Sequence, residues 1–148
     1  MPSALTMNHK NHFRAALSSF AMAAVLAGSA MAEQSGKTTI PDFTKGAKIP
    51  TRATHDWNLG ATGLRGWIYT EQFVTRFARQ ISITQVSKSS PSDGVIEVGD
   101  VILGVGDRHF TRDARKAFGQ AITEAEKTDN RGLLELIVWR HGQTRHVT

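Results

Sequence analysis

Cysteine is absent from this 148-residue chain, and that single absence removes several chemistries together. Disulfide staples, thiolate catalysis, Cys-based zinc sites and a lipid-modified N-terminal cysteine are all excluded. Other signatures are missing too. The six histidines form neither H-E-x-x-H nor a tight His/Asp cluster; His141 falls in a turn, His146 in the last residues, and His55 and His109 stand apart, so all four read as surface residues and no metal is expected. Gly60, Gly63 and Gly66 are evenly spaced but do not make a G-x-G-x-x-G after a strand. No G-x-S-x-G elbow occurs, and Ser89, Ser90 and Ser92 belong to a turn. With no nucleophile set beside a base and no paired carboxylates, the expectation is a chain without catalytic activity of its own and without a cofactor. Trp57, Trp67 and Trp139, within an aromatic content of only 7%, read as core or sheet-edge residues rather than a carbohydrate platform.

Long hydrophobic runs are also lacking. The longest apolar segment, "AALSSFAMAAVLAG" (Ala15 to Gly28), is too short to span a bilayer comfortably. Preceded by Lys10 and Arg14 and followed by the small-x-small triplet Ala30-Met31-Ala32, it has the pattern of a secretory signal peptide cleaved before Glu33. The expected product is exported, periplasmic or extracellular, and not stably inserted in a membrane. The chain carries 18 Lys and Arg against 13 Asp and Glu; loss of Lys10 and Arg14 with the leader leaves 16 against 13, a mature balance of +3. Arg65, Arg79, Arg112, Arg115, Arg131 and Arg145 are dispersed rather than gathered on one stripe with aromatics, so nucleic acid is not an expected partner.

What is present is one domain's worth of core: 40% hydrophobic and 21% charged residues, the composition of a globular chain. Residues 33–52, "EQSGKTTIPDFTKGAKIPTR", show neither helical nor strand periodicity and read as an exposed linker. After them, "GWIYTE", "RQISITQV", "DVILGVG" and "GLLELIVWRHGQTRHVT" are rich in β-branched or aromatic residues and bounded by Gly, Asp or Ser, the pattern of strands. In the last of these Leu134, Leu136 and Val138 alternate with Glu135, Ile137 and Trp139, and "RHGQT" closes a hairpin. "TRDARKAFGQAITEAEK" instead spaces Ala114, Ala117, Phe118, Ala121, Ile122 and Ala125 as one face of a helix over 112–127, with Thr111 as the expected N-cap. "SSPSDG" reads as a tight turn or single helical turn, since Pro91 pre-sets its own φ and Asp93 with Gly94 ends it. In "EVGDVIL", Gly99 is expected in a conformation other residues disfavour, and Asp100 to accept hydrogen bonds from turn amides while Val101, Ile102 and Leu103 enter the core.

The order strand, Ser-Pro turn, Gly-Asp-aliphatic strand, helix and hairpin, carried by "ITQVSKSSPSDGVIEVGDVILGVGDRHF" (Ile83 to Phe110), resembles a bacterial PDZ domain, such as accompanies periplasmic serine proteases and tail-specific proteases. The resemblance covers about two thirds of the chain, from near Ala53 to Thr148. It implies an α+β fold, mainly β with two helices: a five- to six-stranded β-sandwich or partly open barrel capped by one long helix. It also implies a groove between a strand and that helix, closed by a Gly-rich loop that holds a peptide's terminal carboxylate. "GLRGWIY" takes the place of that loop and strand, with Leu64 where the family has its first glycine and Arg65 at a usually apolar position, bringing a charge of its own. The implied groove residues are Leu64, Arg65, Gly66, Trp67, Ile68, Tyr69, Arg115, Phe118 and Ile122. The same stretch also reads as an ordinary β-turn before a core strand. The expected function is a non-catalytic exported module binding an extended or C-terminal peptide with an apolar end by strand addition. The alternative is the N-terminal recognition fragment of a larger secreted enzyme, for which a chain stopping at "RHVT", in what should be a strand, is the motivation.

Overall fold

A computed structural model describes residues 39–53 and 55–148 of the chain. The signal-peptide reading lies outside those residues. The strands are β1 (Trp57–Asn58), β2 (Leu64–Ile68), β3 (Ile81–Val86), β4 (Val101–Val105), β5 (Arg108–His109), β6 (Leu136–Arg140) and β7 (Gln143–Val147), and the single α-helix among the described residues is α1 (Ala114–Ala125). They make one antiparallel seven-stranded sheet in the order β1-β2-β3-β4-β6-β7, with β5 folded back onto β4. This is a mainly antiparallel β architecture with one helix. The other long strand readings fall where expected, while "GWIYTE" overlaps β2 only at residues 66–68 because that strand starts at Leu64; the count rises to seven because two-residue β1 and β5 are too short to leave a periodic signal.

Two local expectations are corrected. The helix starts later than Thr111: Asp113 caps it, its Oδ1 accepting from the Lys116 amide at 3.2 Å while Oδ2 accepts from the Thr75 hydroxyl at 2.9 Å. A carboxylate with a second donor outside the helix makes the better cap. The Ser-Pro segment is a run of turns rather than a second helix. There Asp93 accepts from the Ser89 amide at 2.8 Å, a side-chain bond that competes with helical pairing.

The sheet is covered on both faces. On one, Leu64, Ile68, Ile81, Ile83, Ile102, Leu136 and Val138 pack against Ala114 and Phe118 of α1, with Phe110, Ala78 and Ile96 at the margins. This is the amphipathic stripe read from the sequence, and Phe118 at its centre is 1% exposed. On the other face Val101, Leu103 and Ile137 meet Phe43, with Ala47, Ile49, Trp67 and Trp139 around them. The reading of 33–52 as an exposed linker does not hold at Phe43 and its part-buried neighbours, although most of residues 39–52 are exposed. Phe43 is buried, set edge-on to Trp67 with ring centroids 5.7 Å apart. Its amide donates to Gln80 Oε1 at 2.7 Å, and the Gln80 amide donates to Asp42 at 2.8 Å. One aromatic and a few polar bonds turn an aperiodic segment into a strap.

The Gly-Asp pair performs its turn as expected. Gly99 has φ +94°, a region closed to most L-residues, and the Glu97 amide donates to Asp100 Oδ2 at 2.8 Å. Its second role had no sequence signal. Asp100 is 2% exposed and receives both Nε and a terminal nitrogen of Arg140, forty residues on. Arg140 also reaches Glu97 at 2.6 Å and the Val95 carbonyl at 2.9 Å. The forked guanidinium thereby ties the turn before β4 to the end of β6, and the Asp100 hydrogen bonds hold Arg140 above even its ordinary high pKa.

Candidate functional site

The slot between β2 and α1 is where the sequence places a peptide groove. Strand alternation sends Leu64, Gly66 and Ile68 toward the helix. Leu64 and Ile68 join Phe118 in the core beneath the slot, and Tyr69 packs half-buried beside them; burial raises the Tyr69 phenol pKa. At Gly66 the backbones and side chains come so close that a Cβ would lie 2.6 Å from Ile81 Cγ2 and 3.2 Å from Leu59 Cδ1. Only glycine fits without displacement.

Two of the expected groove residues point elsewhere. Trp67 packs on the opposite face of the sheet against Phe43, because an odd offset from Ile68 reverses its side. Arg65 is engaged by Asp56: Nε donates to Oδ1 at 2.7 Å, a terminal nitrogen reaches the same oxygen at 2.5 Å and the Asp56 carbonyl at 3.3 Å. The Thr84 hydroxyl takes the other Asp56 oxygen. Arg65 first and Thr84 second hold the Asp56 carboxyl below its usual value. A guanidinium so occupied is not poised for a terminal carboxylate. The Gly63 amide donates to the Gly60 carbonyl and the Leu64 amide to the Thr62 hydroxyl, so these two N–H groups do not converge on an anion.

The slot itself is filled by the chain. β1 pairs antiparallel with β2, Trp57 opposite Gly66 and Asn58 opposite Arg65. The Arg115 guanidinium lies over the Trp57 ring, 4.0 Å from its centroid. Leu59 is buried below, and the turn that follows brings Gly60 against Ile122 of α1. Arg115, Phe118 and Ile122 thus form the helical wall, as the resemblance implies, but they face Trp57, the core and Gly60. Trp57, Leu59 and Asp56 were missed by the sequence reading. The available signal was the alternation of Trp57 and Leu59 just before Gly60, too short to separate from a loop.

Two hollows lie elsewhere. A cleft of about 990 Å³ runs between the β4–β5 turn and the polar side of α1, lined by Arg76, Arg108, Lys116, Gln120 and Glu124 among others. An apolar pocket of about 420 Å³ is bounded by Ile96, Ile122, Leu133, Leu136 and Val147. Among the described residues no His, Asp and Glu side chains gather as a metal cage, and no helix is long and apolar enough to cross a membrane.

Compared with known proteins, the chain matches no family model, no curated protein and no solved structure.

Proposed function

We propose that the chain is an exported interaction module of the PDZ type, which binds extended peptide segments by strand addition and has no catalytic role of its own. The observation that carries this reading is the occupied slot: Trp57 and Asn58 lie antiparallel to β2 under Arg115, the arrangement an incoming peptide would adopt. The edge of β2 offers backbone pairing with little sequence choice, while Arg115 favours an aromatic side chain at the position of Trp57. An external peptide competes with β1, which is tethered to β2 by the five residues 59–63 and therefore present at high effective concentration. Terminal-carboxylate capture through Arg65 has no part in this version of the mechanism.

The test is a peptide-library screen on the parent and Trp57→Ala, followed by titration of the best hit with free and amidated termini. Removing a cation–π contact of about 0.5–1 kcal/mol from the competitor should tighten binding roughly two- to fivefold. Amidation should change little. Failure of every peptide to bind a folded Trp57→Ala protein, or equal affinity for parent and variant, would sink the proposal. A large loss on amidation would restore the carboxylate reading.

A further inference from the structure

Among the described residues, the second edge of the sheet is unpaired. β7 ends the strand order, and its residues Gln143 to His146 are exposed. The β6–β7 hairpin has a two-residue loop, His141 and Gly142, both with positive φ, and pairs Arg140 with Gln143, Trp139 with Thr144, Val138 with Arg145, Ile137 with His146 and Leu136 with Val147. In such a hairpin the pair closing the loop exchanges hydrogen bonds, and alternate pairs do so thereafter. The N–H and C=O groups of Gln143, Arg145 and Val147 therefore face β6, and those of Thr144 and His146 face outward. Among the described residues nothing accepts from or donates to those four outward groups.

The chemistry around this edge is asymmetric. The strand carries Arg145 and His146 and no acidic residue. Arg145 makes no ion pair among the described residues, unlike Arg140, whose charge is spent on Asp100 and Glu97. Arg145 and Val147 share a face, the one on which Val147 packs against the helix-side core. Val147 also lines the apolar pocket of about 420 Å³, whose walls include Leu133, 62% exposed, and Val95, 36% exposed. An open ladder, an uncompensated cation and a partly exposed apolar hollow thus lie in line at a two-residue spacing.

We propose that the outer edge of β7 is a second strand-addition site, separate from the β2–α1 slot, that takes an extended peptide bearing an acidic residue. An antiparallel peptide pairs with Thr144 and His146. Its side chains opposite Val147 and Arg145 then fall at non-hydrogen-bonded positions, where cross-strand partners are closest. The residue opposite Val147 is apolar and enters the pocket; the residue two positions later is Asp or Glu and meets Arg145. The ligand pattern is apolar-x-acidic. A second copy of this chain is disfavoured as occupant by the same geometry. The two-fold register that uses all four outward groups of each strand sets Arg145 directly against its symmetry mate, and like charges in that position repel.

The site is tested with a capped octapeptide of Thr and Ser carrying Leu-Thr-Glu at its centre, and its Leu-Thr-Lys counterpart. The expected result is saturable, salt-sensitive binding of the Glu peptide, with slowed amide hydrogen exchange at Thr144 and His146. Arg145→Glu should weaken the Glu peptide roughly tenfold and improve the Lys peptide, a charge reversal that a merely structural arginine would not produce. Thr144→Pro removes an outward N–H without touching a β6 bond, so it should abolish binding while the thermal transition persists. Trp57→Ala and Arg115→Ala should leave this binding unchanged, which separates it from the β2 slot. Equal affinity for Glu and Lys peptides, unaltered exchange at Thr144 and His146, or self-association of the protein in place of peptide binding would overturn the proposal.

Discussion

The two faces of one sheet are covered in different ways. The helix side is closed by a regular amphipathic element: Phe118 and the alanines of α1 lie on buried aliphatic side chains from four strands, and polar bonds are confined to the helix start, where Asp113 meets Thr75 and the Ala114 amide meets the Ala78 carbonyl. The strap side is closed by a single aromatic, Phe43, whose segment is held by Asp42 and Gln80. Hydrophobic burial is non-directional and nearly indifferent to pH, whereas a hydrogen-bonded carboxylate is directional and titrates. The same sheet should therefore lose its two covers under different conditions.

The comparison is broken most severely at the helix. Phe118→Ala removes a fully buried ring from the centre of the larger core and should cost about 3–5 kcal/mol, read by chemical denaturation. A change near zero would show that α1 is not docked through Phe118.

On the strap side the corresponding change is smaller. Phe43→Ala should cost about 2 kcal/mol, because the segment can lift away and leave less of a cavity than a closed core would. Hydrogen exchange should accelerate in residues 42–49 while α1 and β6 stay protected; loss of protection throughout the sheet would mean the two covers are one cooperative unit.

The mildest perturbation uses pH. The Thr44 hydroxyl, with the Gln80 amide next in effect, lowers the Asp42 pKa from 3.8 to about 2. A carboxyl depressed in the folded state contributes stability that is present above its unfolded value and lost as pH falls toward its folded one. The strap should loosen between about pH 4 and 2, seen as loss of the Phe43–Trp67 ring contact by NMR, while the Phe118 environment holds. Asp42→Asn should remove that pH dependence; an identical acid profile in parent and variant would show that another group controls it.

Local pattern was enough for the regular parts. β-branched and aromatic runs between turn residues located β2, β3, β4, β6 and β7, the Ala/Phe/Ile stripe located α1 with its buried centre at Phe118, and Gly99 and Asp100 behaved as a turn demands. These features depend on neighbours within a few residues, where side-chain geometry and backbone preference are read directly from the chain. Long-range choices were not legible. That Trp57 would occupy the slot instead of an outside ligand, that Trp67 would face the strap, that Arg65 would be taken by Asp56 and that Arg140 would close on Asp100 depend on which surfaces meet after folding. A two-residue strand has no period, and an aromatic in an aperiodic segment carries no address. Their partners were decided by burial and, at Asp100, by the need of a buried charge for a counter-charge, conditions that exist only once the sheet has assembled.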